Sequence, residues 1–143
     1  MKNLSKTFLL VGGILSIICV FGFIGGGFGF IYLSKNLDNT YIMEMFKSFW
    51  DLMIGETDGQ KIEFARKLLL AGGVASFVEA IVCIPTAIIS FNARSKSSTA
   101  SLVAAIVFGV ISGASVFVIL GGIFGLIGNR QEANRQRVAE QQQ

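Results

Sequence analysis

The sequence predicts an all-α membrane protein: three transmembrane helices, with one amphipathic interfacial helix in the first long loop. Three observations carry this expectation. Hydrophobic residues make up 52% of the chain and charged ones only 15%, with a mean hydropathy of +0.66. The apolar residues gather into three runs, over 8–33, 68–91 and 102–128, and almost all charge lies between them. A helix needs about 20 apolar residues to cross a hydrocarbon core of ~30 Å at 1.5 Å per residue, and each run is long enough. The loop between the first two runs then alternates apolar and polar residues with a helical period.

The first run, 8–33, contains no charge and follows Lys2 and Lys6. Its apolar stretch exceeds the ~7–15 residues of a signal core, and no small-x-small cleavage site follows, so a retained helix is expected. In the loop, Thr40 is a plausible N-cap for a helix over 41–54. Ile42, Phe46, Phe49, Trp50 and Met53 fall on one face of that helix, and Glu44, Lys47, Ser48 and Asp51 on the other. Such a helix lies at the membrane surface, or docks on the bundle or on a partner protein. Glu56-Thr57-Asp58-Gly59 reads as a turn, and 60–67 as a helical run-in to the second span.

The second run, 68–91, is interrupted by one acid, Glu79, and contains Pro85, which is expected to kink the helix and free the carbonyl of Ile81. A polar connection over 92–101 carries Arg94 and Lys96, and the third run, 102–128, is again uncharged. The tail, 129–143, is polar and glutamine-rich, expected as a frayed helical extension or as disorder. The whole chain reads as one membrane domain, 1–143. Its orientation is internally contradictory. The flanks of the first helix favour a cytoplasmic N-terminus. With three spans that leaves four Lys/Arg inside (Lys2, Lys6, Arg94, Lys96) and eight outside, against the positive-inside tendency.

Helices in lipid associate through close backbone approach, and small residues four apart permit it. The helix-packing candidates are Gly22, Gly26 and Gly29 in the first run, Gly72 in the second, and Gly109, Gly113, Gly121 and Gly125 in the third. A small-residue seam in every span predicts a tight bundle or a homo-oligomer. The stretch FGFIGGGFGF, 21–30, is expected to pack on the third helix.

Glu79 stands near the middle of its run, where a charge costs at least about 2.5–3.5 kcal/mol. Ser76, Glu79, Cys83 and Thr86 follow at helical steps along one polar and small stripe. One reading is a proton or cation site. The other is a protonated carboxyl donating to Ser112, Ser115 or a freed carbonyl.

Cys19 and Cys83 both lie inside apolar runs and read as small packing residues. The chain has no histidine, the commonest general base and metal ligand. Gly25-Gly26-Gly27 lacks the lysine and hydroxyl of a phosphate loop. No catalytic residues, cofactor or metal are therefore expected, and a formal charge of +3 gives no reason to expect nucleic acid. The expected partners are the bilayer, a second copy or another membrane protein.

Val11-Gly-Gly-Ile-Leu15 near the start and Ile119-Leu-Gly-Gly-Ile-Phe-Gly-Leu-Ile-Gly128 near the end resemble a family of small glycine-rich bacterial multi-pass membrane proteins, catalogued only as a domain of unknown function. That resemblance implies a cell-membrane location and brings no activity with it. Residues 21–30 with Glu79 also look like a rotor-ring proteolipid, to whose hairpin the long loop and third run are additions. The polar tail and few spans are similar to a phage-type holin. The function expected is a non-enzymatic accessory, regulatory or immunity-type subunit acting by helix–helix association. An oligomeric pore or proton path through Glu79, and a holin-like membrane lesion, stand as alternatives.

Overall fold

A computed structural model describes residues 1–46, 57–113 and 116–142. Every regular element among them is a helix: α1 (Lys2–Lys35), α2 (Thr40–Phe46), α3 (Asp58–Lys96), α4 (Thr99–Ile111) and α5 (Val116–Gln141). Two of these, α1 and α3, are long and apolar enough to cross a membrane. In each, only 22% of the most apolar window is buried within the protein. A core helix of a water-soluble protein buries most of such a window. Here Ile18, Phe21 and Phe28 on α1, and Val74, Val78, Ile81 and Ile88 on α3, stay outward. Outward apolar residues of this number are compatible with helices that cross a membrane.

The third apolar run, expected as one span over 102–128, is instead two helices. The break follows α4, where Ser112 closes the helix with its N–H on the carbonyls of Phe108 and Val110, and Gly113 takes φ +57°. Glycine enters that left-handed region without the steric cost other residues meet. Gly113 is therefore a turn residue and not the helix-packing residue expected, and a Cβ on it would touch nothing within 4 Å among the described residues. With 13 residues, α4 is about 20 Å long, well short of a ~30 Å hydrocarbon core.

The helix ends have local causes. Asn39, not Thr40, caps α2: its Oδ1 accepts from the Tyr41 N–H at 3.0 Å. Thr57 and Gln60 exchange side-chain and backbone hydrogen bonds at 3.4 Å in a capping box, so the expected turn at 56–59 is largely the start of α3. At its other end α3 runs through Pro85 to Lys96, which shrinks the expected 92–101 connection to Ser97 and Ser98. Ser97 adopts φ 49°, and Ser98 caps α4 by accepting from the Ser101 N–H. The tail continues α5 as helix to Gln141.

The chain forms two compact units. Residues 1–20 and 81–143 make the first. In it α4 and α5 form an antiparallel hairpin: Leu102 meets Gly125, Ile106 meets Gly122, and Ile119 meets Gly109. The first turns of α1 pack antiparallel on α5, with Leu9 on Gly121, Ser5 on Gly125 and Lys2 on Gly128. Phe8 stacks between Phe117 and Phe124, with ring centroids at 6.0 and 5.7 Å. Leu9, Ala93, Leu102, Ala105 and Val118 form the buried core. Residues 21–80 make the second unit. There α1 and α3 cross where Gly27 faces Gly73, and Leu37, Ile42, Ala65 and Leu69 form a small core beneath α2.

Candidate functional site

Two features of the second unit are candidates for chemistry or recognition. The first is the glycine face of α1. Among the described residues, a Cβ added to Gly22, Gly25, Gly26 or Gly29 would meet no atom within 4 Å. At spacings of three, four and seven these positions share one side of the helix. Gly22, Gly26 and Gly29, expected to pack against the third run, make no such contact among the described residues. Gly27 does pack, but on α3: its Cβ would lie 3.0 Å from the Phe77 ring and 3.2 Å from the Gly73 carbonyl oxygen. Phe28 meets the same ring edge-on at 5.2 Å. On α3, Gly73 takes the close approach, while Gly72 has only ordinary contact with Phe30 at 3.9 Å.

The remaining glycines behave differently. A Cβ on Gly109 would lie 2.8 Å from Ile119, one on Gly121 2.8 Å from Leu9, and one on Gly125 2.5 Å from Leu102. These three pack as closely as a membrane seam requires, together with Gly122 and Gly128, which the four-residue spacing alone does not single out. Hydroxyls reinforce this seam. Ser5 donates to the Gly121 carbonyl at 2.7 Å and Ser90 to the Leu9 carbonyl at 2.6 Å, and both serines are buried.

The second feature is Glu79. It is half-buried, and its Oε2 is buried without a hydrogen-bond partner among the described residues. The polar stripe around it on α3 is otherwise occupied. Ser76 donates to the Gly72 carbonyl at 2.8 Å, and Thr86 to the Val82 carbonyl at 2.9 Å. Cys83 is fully buried. Ser112, one of the partners considered for the carboxyl, donates to the Gly109 carbonyl at 3.3 Å. Ser115 lies outside the described residues.

Of the interfacial candidates, Phe49, Trp50 and Met53 and the side chain of Phe46 lie outside the described residues. Among the described residues no group of three Cys, Asp or Glu could hold a metal ion. Arg66 makes a tie that periodicity does not reveal. It donates from Nε to the Ser34 carbonyl at 3.2 Å and pairs with Asp38 at 3.2 Å, tying the C-terminus of α1 to α3.

No protein-family model, curated protein or solved structure matches the chain.

Proposed function

We propose that this chain is a non-enzymatic integral membrane protein that acts by helix–helix association, as an accessory, regulatory or immunity-type subunit, through the Gly22–Gly25–Gly26–Gly29 face of α1. One observation carries the reading: among the described residues, nothing lies within 4 Å of a Cβ added to any of these four glycines. Each costs roughly 0.8–1.0 kcal/mol in a helix relative to alanine. A partner helix approaching closely offsets that cost. Cys19 lies one turn before Gly22 on the same side of α1 and is partly exposed, so it reports on the contact. With Cys83 changed to serine, oxidation of the membrane-embedded chain is expected to crosslink Cys19 across a self-associated pair. Gly22→Leu with Gly26→Leu is expected to abolish both this crosslink and capture of any membrane partner, while leaving protomer unfolding unchanged. Undiminished association in that variant would overturn the reading.

The topology we infer is two crossings, α1 and α3, followed by the α4–α5 hairpin entering and leaving on one side. It removes the charge contradiction of the three-span reading, because the tail returns to the side of Lys2. Asn129 donates to the Ser97 carbonyl at 2.7 Å, and Lys2 pairs with Glu132. One side then holds Lys2, Lys6, Arg94, Lys96, Arg130, Arg135 and Arg137. The other holds Lys35, Lys47, Lys61, Arg66 and Lys67. The positive-inside tendency makes the first side cytoplasmic. Single cysteines at Asn3, Ser95 and Gln142 are expected to label together, and one at Asn39 from the opposite side. Labelling of Gln142 with Asn39 would restore three spans.

The unpartnered Glu79 Oε2 favours a second reading, a proton or cation path. It predicts that liposomes containing the protein dissipate an ion gradient and that Glu79→Gln stops the leak. A leak no greater than that of empty liposomes removes it.

A further inference from the structure

The first unit contains a cationic groove unrelated to the glycine face. Lys6 of α1, with Phe91, Arg94 and Ser95 of α3, lines a cavity of about 420 Å³. Its walls are fixed. Ser90 donates to the Leu9 carbonyl at 2.6 Å, and the Phe91 ring lies against Gly13, whose Cβ would sit 3.0 Å from it. Two consecutive α3 residues thus tie the two helices together, and Lys6 and Arg94 line the same groove. Both cations are exposed, and among the described residues no carboxylate forms an ion pair with either. The groove therefore offers two uncompensated positive charges and a hydroxyl above an aromatic floor. Ile88 and Ile84, one and two helical turns before Phe91 on α3, and Ile14 and Ile17 on α1 are outward apolar residues of the same unit.

A ligand matched to this arrangement carries a compact negative head on an apolar body. Basic pockets between membrane helices on the cytoplasmic side bind anionic lipid head groups in this way. We propose that the Lys6–Arg94–Ser95 groove holds the phosphate head group of an anionic phospholipid, with its acyl chain running past Phe91 along α1 and α3. The proposal uses the topology above only to place the groove at the membrane surface. It does not depend on helix association through the glycine face.

Native mass spectrometry of the full chain, released from nanodiscs of mixed phosphatidylglycerol and phosphatidylcholine, tests it. Phosphatidylglycerol is expected to remain bound in preference to phosphatidylcholine. Lys6→Gln with Arg94→Gln is expected to lower that retention at least about tenfold. Arg130→Gln with Arg135→Gln and Arg137→Gln removes more charge from the same side and is expected to leave retention unchanged. The charge-preserving pair Lys6→Arg with Arg94→Lys is expected to keep it, which separates loss of the site from loss of the fold. Millimolar inorganic phosphate is expected not to displace the lipid. Equal retention of phosphatidylcholine, equal loss in the tail variant, loss in the charge-preserving pair, or displacement by phosphate would each overturn the proposal.

Discussion

Gly121, Gly125 and Gly128 on α5 and Gly22, Gly26 and Gly29 on α1 are spaced at the same steps of three and four, yet their surroundings are opposite. The α5 set, in the first unit, takes Leu9, Ser5 and Lys2 of α1 against its backbone. The α1 set, in the second unit, faces nothing within 4 Å among the described residues. Spacing permits a close approach; it does not say whether the approaching helix belongs to the same chain. The filled set builds the protomer. The open set leaves room for a close approach that no described residue makes.

Substituting leucine at one position of each kind breaks or sharpens that contrast. The largest effect is expected at Gly122. A Cβ there would lie 2.5 Å from Ile106 and 2.9 Å from the Leu102 carbonyl oxygen. A side chain can rotate away, but a backbone oxygen in a helix cannot, so α4 must separate from α5. Gly122→Leu is expected to cost about 3 kcal/mol or more, read as loss of cooperative unfolding in detergent and as proteolysis near Gly113. At Gly26 the same change meets open space and exchanges glycine for a better helix former. Protomer unfolding should shift by no more than about 1 kcal/mol, toward greater stability, whereas association should fall more than tenfold. If Gly122→Leu left unfolding intact, or Gly26→Leu disrupted it, filled and open glycines would not differ as described.

The legible part of the fold is the part that follows from solvent preference. Runs 8–33 and 68–91 became α1 and α3 because a continuous apolar stretch with charges at its ends has few alternatives. The break at Gly113 was hidden by composition. Ser-Gly-Ala-Ser, 112–115, is small and uncharged, so it does not interrupt an apolar run, although the same residues suit a turn. The 102–128 run is too short for two full crossings, but a hairpin of two shorter helices needs no full crossing. Glycine roles were only half legible. Gly109, Gly121 and Gly125 pack as their spacing suggests, but helix rotation decides that α1 presents Gly27, and not Gly26, to Gly73. The stripe through Glu79 was visible as a pattern. That Ser76 and Thr86 turn their hydroxyls onto their own helix is a rotamer choice that spacing does not encode.

A smaller effect is expected at Ser90, where the two long helices are joined in the first unit. Its hydroxyl meets the Leu9 carbonyl at 2.6 Å with both residues buried. Interhelical hydrogen bonds in membrane proteins average about 0.6 kcal/mol and reach about 1.7. Ser90→Ala should lower stability within that range. It should also loosen the Phe91–Gly13 contact beside it, read as weaker phosphatidylglycerol retention at unchanged charge. A stability change below detection would mean that the clamp resides in side-chain packing alone.

The smallest effect is expected at Arg66, the corresponding tie in the second unit. The guanidinium donates to the Ser34 carbonyl and pairs with Asp38, but its side chain is 43% exposed and that of Asp38 74%. Exposed pairs of this kind contribute about 0–1 kcal/mol and weaken with salt. The Nε donation is different in kind, because the Ser34 carbonyl belongs to the last turn of α1, where no intrahelical N–H remains to satisfy it. Arg66→Lys keeps a charge facing Asp38 and removes the Nε donor from its fixed place beside the pair. If the carbonyl bond is the useful part, Arg66→Lys and Arg66→Ala should cost nearly the same, under about 1 kcal/mol, with little dependence on salt. If the ion pair is, lysine should rescue the loss at low ionic strength and fail to do so at high. Unfolding of the two variants at two salt concentrations decides which of the two bonds ties the C-terminus of α1 to α3.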